Sequence, residues 1–200
     1  MLQITDKHTG KMKGMASLNT STINNPFCQK MVTKDVVCKK CYANRMEKMY
    51  HSKDVAYVER WKHNGDILSK ELLTVAPKIN TLIFRFHAFG ELLNMIHLEN
   101  LMFIAKSNPN TTFSLWTKRK DIINKYKGEK PNNFILIYSE PKIDVKDVAV
   151  PKNFDKSFNV YSEDFIDDNK VSINCGARSC VTCQQCYSKD SDIIIKEKLK

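Results

Sequence analysis

The sequence predicts an α/β protein, because segments with strand character alternate with segments of helical periodicity. The strongest strand candidates are rich in β-branched and aromatic residues and span positions 81–86, 112–116 and 134–138. Between the first two, residues 92–105 carry apolar side chains at helical spacing and end before Asn108-Pro109. Strands that alternate with helices in this way are typical of βαβ units around a parallel sheet.

The remaining elements extend this alternation towards both ends of the chain. They are strands at 16–23, 158–161 and 171–174 and helices at 42–73 and 118–126, the first helix being broken at His51-Ser52 and Asn64-Gly65. About six units result, which is too few for a closed eight-stranded barrel. The predicted fold is therefore a partial β/α barrel with parallel strands, and an open doubly wound sheet is the alternative. We expect a barrel domain over 1–174 and a Cys-rich metal-binding segment over 175–200.

Charge and hydropathy limit the classes of function. The 200 residues carry a formal charge of +10, and an excess of lysine attracts nucleic acids, nucleotides and other anions. The lysines are scattered along the chain, which weakens the case for a dedicated nucleic-acid surface. No stretch approaches the ~18 apolar residues of a membrane span. The first residues also lack the apolar core of a secretory signal. We therefore expect a cytoplasmic protein without a membrane partner.

Seven cysteines are the most informative feature of the sequence, and they form two groups near the two chain ends. The first group is Cys28-x9-Cys38-x2-Cys41, and the second is Cys175-x4-Cys180-x2-Cys183-x2-Cys186. In a reducing cytosol such thiols do not persist as disulfides. Short x2 gaps bring two sulfurs together, which favours metal binding. Buried cysteines without a metal are the alternative.

The numbers of cysteines in the two groups predict different kinds of site. Four cysteines within twelve residues can supply all ligands of a zinc ion or of a [4Fe–4S] cluster. Three cysteines leave one coordination position open, as a reactive metal site requires. One reactive cluster and one fully ligated auxiliary cluster are the leading interpretation. Zinc throughout, or one site shared by both groups, remains open because zinc and iron both accept thiolates.

Polar residues follow the three strongest strands, where the carboxyl ends of parallel strands meet. They are His87 with Gly90-Glu91, Lys118, and Glu140. Arg85 and His87 are two positions apart, so both lie on one face of their strand. A Gly-Glu pair after a strand can present backbone carbonyls and a carboxylate to an amine. Trp116 is interpreted as a core residue.

The cysteine loop after a first strand, followed by Arg-Phe-His-Ala-Phe-Gly-Glu after a second, resembles radical S-adenosylmethionine enzymes. The superfamily's common loop is Cys-x3-Cys-x2-Cys with an aromatic residue before the last cysteine. Here the first gap is nine residues and the aromatic residue, Tyr42, follows Cys41. The resemblance implies a [4Fe–4S] cluster on the first three cysteines, with S-adenosylmethionine bound at its open iron. Tyr42, Gly90 and Glu91 would then contact that cofactor.

A second resemblance covers most of the chain and is to the phage gene product eighty-eight family. It rests on Lys11-Met-Lys-Gly14, Cys38-x2-Cys41-Tyr-Ala43, the Gly-Glu turn, Leu115-Trp-Thr-Lys118 and the C-terminal cysteines. This resemblance implies a phage or prophage origin, and hence the cytoplasm of the host cell. It implies no reaction.

Three classes of function follow from these features. The first is a radical enzyme that uses an electron donor, with His87, Lys118 and Glu140 as catalytic candidates towards an unknown small or macromolecular substrate. The second is a non-enzymatic zinc or iron–sulfur protein that binds nucleic acid or a host protein through its positive surface. The third is an electron carrier, in which Glu91 has no role.

Overall fold

The computed structural model describes residues 1–52 and 54–199, which form a seven-stranded mixed sheet with helices. In chain order, the strands are β1 (Ile4–Thr5), β2 (Ala16–Leu18), β3 (Ile83–Phe86), β4 (Thr112–Thr117), β5 (Phe134–Ile143), β6 (Lys156–Tyr161) and β7 (Ile194–Lys198). The helices are α1 (Pro26–Val32), α2 (Tyr42–His51), α3 (Val55–Lys70), α4 (Met95–Lys106), α5 (Lys120–Ile123), α6 (Glu163–Asn169) and α7 (Cys180–Cys183). None of the helices in the described residues is long and apolar enough to cross a membrane.

The strands lie side by side in the order in which they occur along the chain, from β1 to β7. Strands β2 to β7 are all parallel, and only β1 runs antiparallel to its neighbour β2. The sheet is open, because β1 and β7 form its two edges within the described residues. The predicted α/β class and parallel strands are confirmed. The doubly wound alternative is wrong, since such a sheet reverses its strand order partway across.

The predicted long helix is two helices, and only one of its two predicted breaks exists. Helix α2 ends at His51, with Ser52 as its C-cap, as predicted. The Asn64-Gly65 pair instead lies inside α3. The Asn64 side chain donates to the carbonyls of Gln3 and Asn19, at 2.8 and 2.9 Å. Asn64 therefore makes tertiary hydrogen bonds from within a helix, although an Asn-Gly pair indicates a turn when only the sequence is known.

Both ends of the predicted strand series need correction. The first strand stops at Leu18, well before position 23. Residues 171–174 are not a strand, because the place beside β6 is taken by β7. Asn174 binds the edge of β7 instead: its side-chain oxygen accepts from the Lys196 amide at 2.7 Å. The segment 175–200 thus contributes a strand to the sheet in addition to its cysteines.

The two faces of the sheet carry different cores. One face packs on the helices and forms the large apolar cluster that includes Phe84, Phe86 and Phe113. The opposite face forms two smaller clusters, centred on Ile137 and on Tyr187. Five C-terminal residues pack against these two smaller clusters: Cys175, Cys180, Val181, Cys186 and Leu199. The cysteine-rich segment therefore covers the face of the sheet that the large helical core leaves free.

Candidate metal and ligand cavity

A cavity of about 150 Å³ brings the first cysteine group together with the carboxyl ends of the strands. Its wall includes Cys28, Cys38, Cys41, Arg85, His87, Gly90, Glu91, Trp116, Lys118 and Ser139. A larger surface depression of about 490 Å³, near Phe27 and Arg119, includes no cysteine among its described lining residues. The smaller cavity is the candidate functional site, because metal-binding residue types and polar strand ends converge there.

Local structure explains how three cysteines with a nine-residue gap reach one cavity. Cys28 lies in the first turn of α1, whose N-cap residue Asn25 accepts from the Cys28 amide at 3.3 Å. The rest of α1 occupies the first part of the gap, and Cys38 itself lies in a 3-10 turn at Val37–Lys40. Cys41 is the N-cap residue of α2, and its Sγ accepts from the Asn44 amide at 3.4 Å.

Burial sets the protonation of two of these thiols in the metal-free protein. It raises the pKa of the Cys28 thiol, and the neighbouring Glu91 carboxylate adds to the rise. Burial likewise raises the pKa of the Cys38 thiol, while the Lys118 ammonium opposes the rise. Without a bound cation, both are protonated thiols at neutral pH and poor nucleophiles.

The loop between β2 and α1 is held by a residue that the sequence did not single out. Glu47 of α2 is fully buried, and its carboxylate accepts from the Thr22 amide at 2.6 Å and from the Ile23 amide at 3.3 Å. The hydroxyls of Ser21 and Thr22 donate to the same carboxylate. Glu47 therefore fixes α2, and with it Cys41, to the loop that leads to Cys28.

Gly90 allows the loop after β3 to approach the loop after β2. Its φ angle is +103°, and a Cβ at this position would lie 2.6 Å from the carbonyl oxygen of Thr20. The Thr20 amide donates to the carbonyl of Phe89 at 3.1 Å, which joins the two loops. Only glycine combines this backbone conformation with so close an approach.

The Glu91 carboxylate is buried and held by three protein donors. It accepts from the amides of Leu92 and Lys118, both at 2.8 Å, and from the Thr117 hydroxyl. Burial raises its pKa, whereas the Lys118 ammonium, the Thr117 hydroxyl and the two amides oppose that rise. Lys118 Nζ donates to the Ser139 hydroxyl at 2.9 Å. The predicted residues Gly90, Glu91, Lys118 and His87 therefore share one cavity.

His87 occupies the left-handed region, at φ 59°, and is buried with His97 of α4. Their Nε2 atoms lie 3.2 Å apart, and His97 Nδ1 accepts from the Leu93 amide at 3.2 Å. Burial lowers the pKa of His97 to about 3, and burial together with His97 and Arg85 lowers the pKa of His87 well below its usual value. Both rings are therefore neutral. His97 carries its proton on Nε2, donates to His87 Nε2, and leaves the His87 proton on Nδ1.

Two predicted site residues lie away from this cavity. Tyr42 is 58% exposed, and its ring contacts Phe89 at a centroid distance of 6.2 Å. Glu140 follows Ser139 within β5, but its side chain interacts with Tyr138 and does not belong to the described lining of the cavity. Its carboxylate accepts from the Lys142 amide at 3.1 Å. The strand runs further than predicted, to Ile143, which keeps Glu140 off the rim that Lys118 occupies.

The second cysteine group lies on the same face of the sheet as the cavity. Burial raises the pKa of Cys175, Cys180 and Cys186, and each of the three also interacts electrostatically with the other cysteines of the group. Arg85 lowers the pKa of Cys180 and Cys186, so it lies between this group and the cavity whose wall it forms.

A buried lysine attaches the second cysteine group to the sheet. Lys156 of β6 is 1% exposed, and its Nζ donates to the Ser191 carbonyl and hydroxyl and to the Asp192 carbonyl, at 2.8 to 3.1 Å. The loop between α7 and β7 is thereby fixed. Sequence reasoning missed Lys156, because lysine is almost never fully buried.

The side-chain types in the cavity suit a metal, although the thiols do not converge on a position for a single metal ion. In the part of the chain that the structure describes, no three Cys, His, Asp or Glu side chains form a single-ion site. The cavity offers three thiols beside an ammonium and a carboxylate. Three thiolates are the number that the sequence predicts for a cluster with an open position, and that ligand set stays a prediction.

Comparison with known proteins identifies the family. A family model described as Gene product 88 matches residues 3–195, nearly the whole chain. No curated protein and no solved structure matches the chain. The family resemblance inferred from the short sequence motifs is confirmed. The chain belongs to the Gene product 88 family.

Proposed function

We propose that the chain is an iron–sulfur protein in which Cys28, Cys38 and Cys41 hold a [4Fe–4S] cluster with one open iron. One observation carries the proposal: the three cysteines line the same small cavity as Gly90, Glu91 and Lys118. An open metal position is useful only where a ligand can reach it. The shared cavity supplies that access beside polar groups able to bind a ligand.

The arrangement further supports a function of the radical S-adenosylmethionine type. Six parallel strands in sequential order are what a partial β/α barrel requires, and the cysteine loop and the Gly-Glu turn follow its first two parallel strands. When bound, such a cluster supplies an electron for the reductive cleavage of a sulfonium ligand. The chain's own residues bind and orient that ligand.

The roles of the cavity residues follow from their contacts. The Glu91 carboxylate is fixed by its three donors, and its one remaining lone-pair site is available to an amine. The Lys118 ammonium interacts electrostatically with Cys28 and Cys38, so it stabilises negative charge on thiolates or on a bound carboxylate. His87 is a catalytic candidate as a neutral hydrogen-bond donor.

Metal analysis after anaerobic purification tests this proposal. We expect a brown protein with roughly eight iron and eight sulfide per chain, since each of the two cysteine groups holds one [4Fe–4S] cluster. The triple variant Cys28→Ser/Cys38→Ser/Cys41→Ser should retain about half of the iron. Addition of S-adenosylmethionine should change the electron paramagnetic resonance signal of the reduced wild type but not that of the variant. Colourless protein with stoichiometric zinc would contradict the proposal.

The C-terminal cysteines are proposed to hold the second, fully ligated cluster. Cys183→Ser should release about half of the metal, and it should lower the stability of residues 175–199 because metal binding is coupled to folding. Limited proteolysis and iron analysis measure the two effects. Full metal content with unchanged protease resistance would show that Cys183 is not a ligand.

The net charge of +10 favours a second candidate function, a zinc or iron–sulfur protein that binds nucleic acid or a host protein. Such binding would weaken steeply with salt, because lysines that neutralise phosphates release counterions. The salt dependence of binding to random-sequence DNA and RNA, measured on the same anaerobic preparation, separates this function from the first.

A further inference from the structure

Three hydrogen-bond donors without a partner belong to one wall of the three-cysteine cavity. They are Arg85 Nε, His87 Nδ1 and Trp116 Nε1, which are buried and bond to nothing among the described residues. All three side chains line the cavity. A buried donor without an acceptor is costly, so three on one wall indicate a site built for a ligand.

The sheet register explains why these donors lie together. Arg85 lies on the face of β3 opposite to that of Phe84 and Phe86, and β3 pairs in parallel with β4, with Phe86 opposite Leu115. His87 follows the end of β3 in the left-handed conformation and lines the same cavity. Trp116 is the next residue of β4, which places it on the same face of the sheet as Arg85, and it lines the cavity together with His87. The Arg85 guanidinium carbon is 4.2 Å from the centre of the Trp116 ring.

Each of the three groups can only donate. Guanidinium and indole nitrogens have no acceptor capacity. The hydrogen-bond chain from Leu93 through His97 keeps the His87 proton on Nδ1, so this atom is also a donor. The group that satisfies all three must therefore be an acceptor with several lone pairs.

The charge of Arg85 makes that acceptor an anion. None of the ion pairs formed by residues 1–52 and 54–199 includes Arg85. Within these residues, a terminal nitrogen of its guanidinium makes a long contact with Met12 Sδ, at 3.7 Å, and the guanidinium faces the Cys180 and Cys186 thiols. A guanidinium fits the planar oxygens of a carboxylate and the tetrahedral oxygens of a phosphate.

We propose that this wall binds the oxyanion group, a carboxylate or a phosphate, of a small-molecule substrate. Arg85 supplies the charge, Trp116 and His87 supply directed donors, and His97 acts as a positioning residue that fixes the tautomer of His87. The wall is built at the ends of β3 and β4, whereas the cysteines belong to the segment around α1 and α2. The assignment rests on the three donors of the wall itself, and Arg85 is the one of them that also faces the second cysteine group.

Equilibrium dialysis of the full-length protein as purified tests the assignment directly. Radiolabelled inorganic phosphate and radiolabelled acetate are the probes, each in a buffer that holds ionic strength constant with sodium chloride. We expect one saturable site per chain for at least one probe. Saturation by phosphate alone assigns a phosphate, and saturation by acetate assigns a carboxylate.

Variants show whether the site is this wall. Arg85→Gln should weaken binding about 10-fold or more, because a charge-assisted hydrogen bond is lost. Arg85→Lys retains the charge but loses Nε, and Trp116→Phe retains an aromatic ring but loses its donor; each should weaken binding by roughly 3- to 10-fold. Arg60→Gln, at an exposed position of α3, is the matched control and should bind as the wild type does. Circular dichroism confirms that each variant is folded.

Two outcomes would overturn the assignment. The first is that neither probe shows saturable binding in the sodium chloride buffer, which would mean that water satisfies the three donors. The second is saturable binding whose affinity is unchanged in both Arg85→Gln and Arg85→Lys. Iron analysis of the same samples keeps the two proposals apart. Protein without iron that still binds the anion refutes the cluster and leaves the oxyanion site standing. Iron-loaded protein that binds neither probe refutes the oxyanion site alone.

Discussion

Gly90→Ala is expected to destabilise the protein by about 3 kcal/mol or more, because it combines backbone strain with a steric clash. The φ angle of +103° is unfavourable for alanine, and the new Cβ would lie 2.6 Å from the Thr20 carbonyl oxygen. Thr20 belongs to the loop that leads to Cys28, so the clash would also separate the two sides of the cavity. Chemical denaturation measures the loss, and metal analysis measures the damage to the site.

Two other glycines separate the contributions to this effect. Gly10 has a φ angle of +60°, and an alanine Cβ there would meet nothing within 4 Å, so Gly10→Ala should cost only the backbone term, about 1–2 kcal/mol. Gly176 has open space and no positive φ, and its alanine variant should be near neutral. Equal losses for Gly90→Ala and Gly10→Ala would show that the close approach to Thr20 is not what matters.

Glu47→Gln is expected to cost about 3 kcal/mol, although it changes only one side-chain atom from oxygen to nitrogen. The Glu47 carboxylate accepts from two amides and two hydroxyls, all in residues 21–23. The amide nitrogen of glutamine cannot accept a hydrogen bond. It would therefore lie against backbone amides or hydroxyls that also donate, and those donors would lose their acceptor. Because these contacts join α2 to the loop before Cys28, metal retention should fall together with stability.

The matched control is Glu59→Gln on α3, where the carboxylate is half-exposed and 3.8 Å from Lys62. An exposed pair of this kind contributes less than about 0.5 kcal/mol, so this variant should unfold close to the wild type. Urea denaturation of both variants at neutral pH gives the comparison. If Glu47→Gln unfolds at the same urea concentration as Glu59→Gln, the buried carboxylate does not hold the loop.

Local sequence patterns predicted the features that depend on residues close together in the chain: strand positions, cysteine spacing and a turn. Side-chain alternation and β-branched residues located β3, β4 and β5, and cysteine spacing separated a group of three from a group of four. The Gly-Glu pair was predicted to lie at a strand end, and the structure has it there, with Gly90 in the left-handed region. These features rest on periodicity and on backbone conformations that few residues adopt.

Contacts between distant segments of the chain decided which residues lie together in the cavity and which segments pair in the sheet. His97 and Glu47 are ordinary helical residues in the sequence, and they matter because parallel pairing brings α4 and α2 against the ends of β3 and β2. Lys118 and Glu140 looked equivalent, yet β4 ends before Lys118 whereas β5 continues past Glu140, so only Lys118 reaches the cavity. The sequence by itself determined the α/β class, the two cysteine groups and the turn at Gly90. Only the tertiary structure decided that β7 is the last strand, and which polar residues share a cavity, because register and burial depend on segments far apart in the chain.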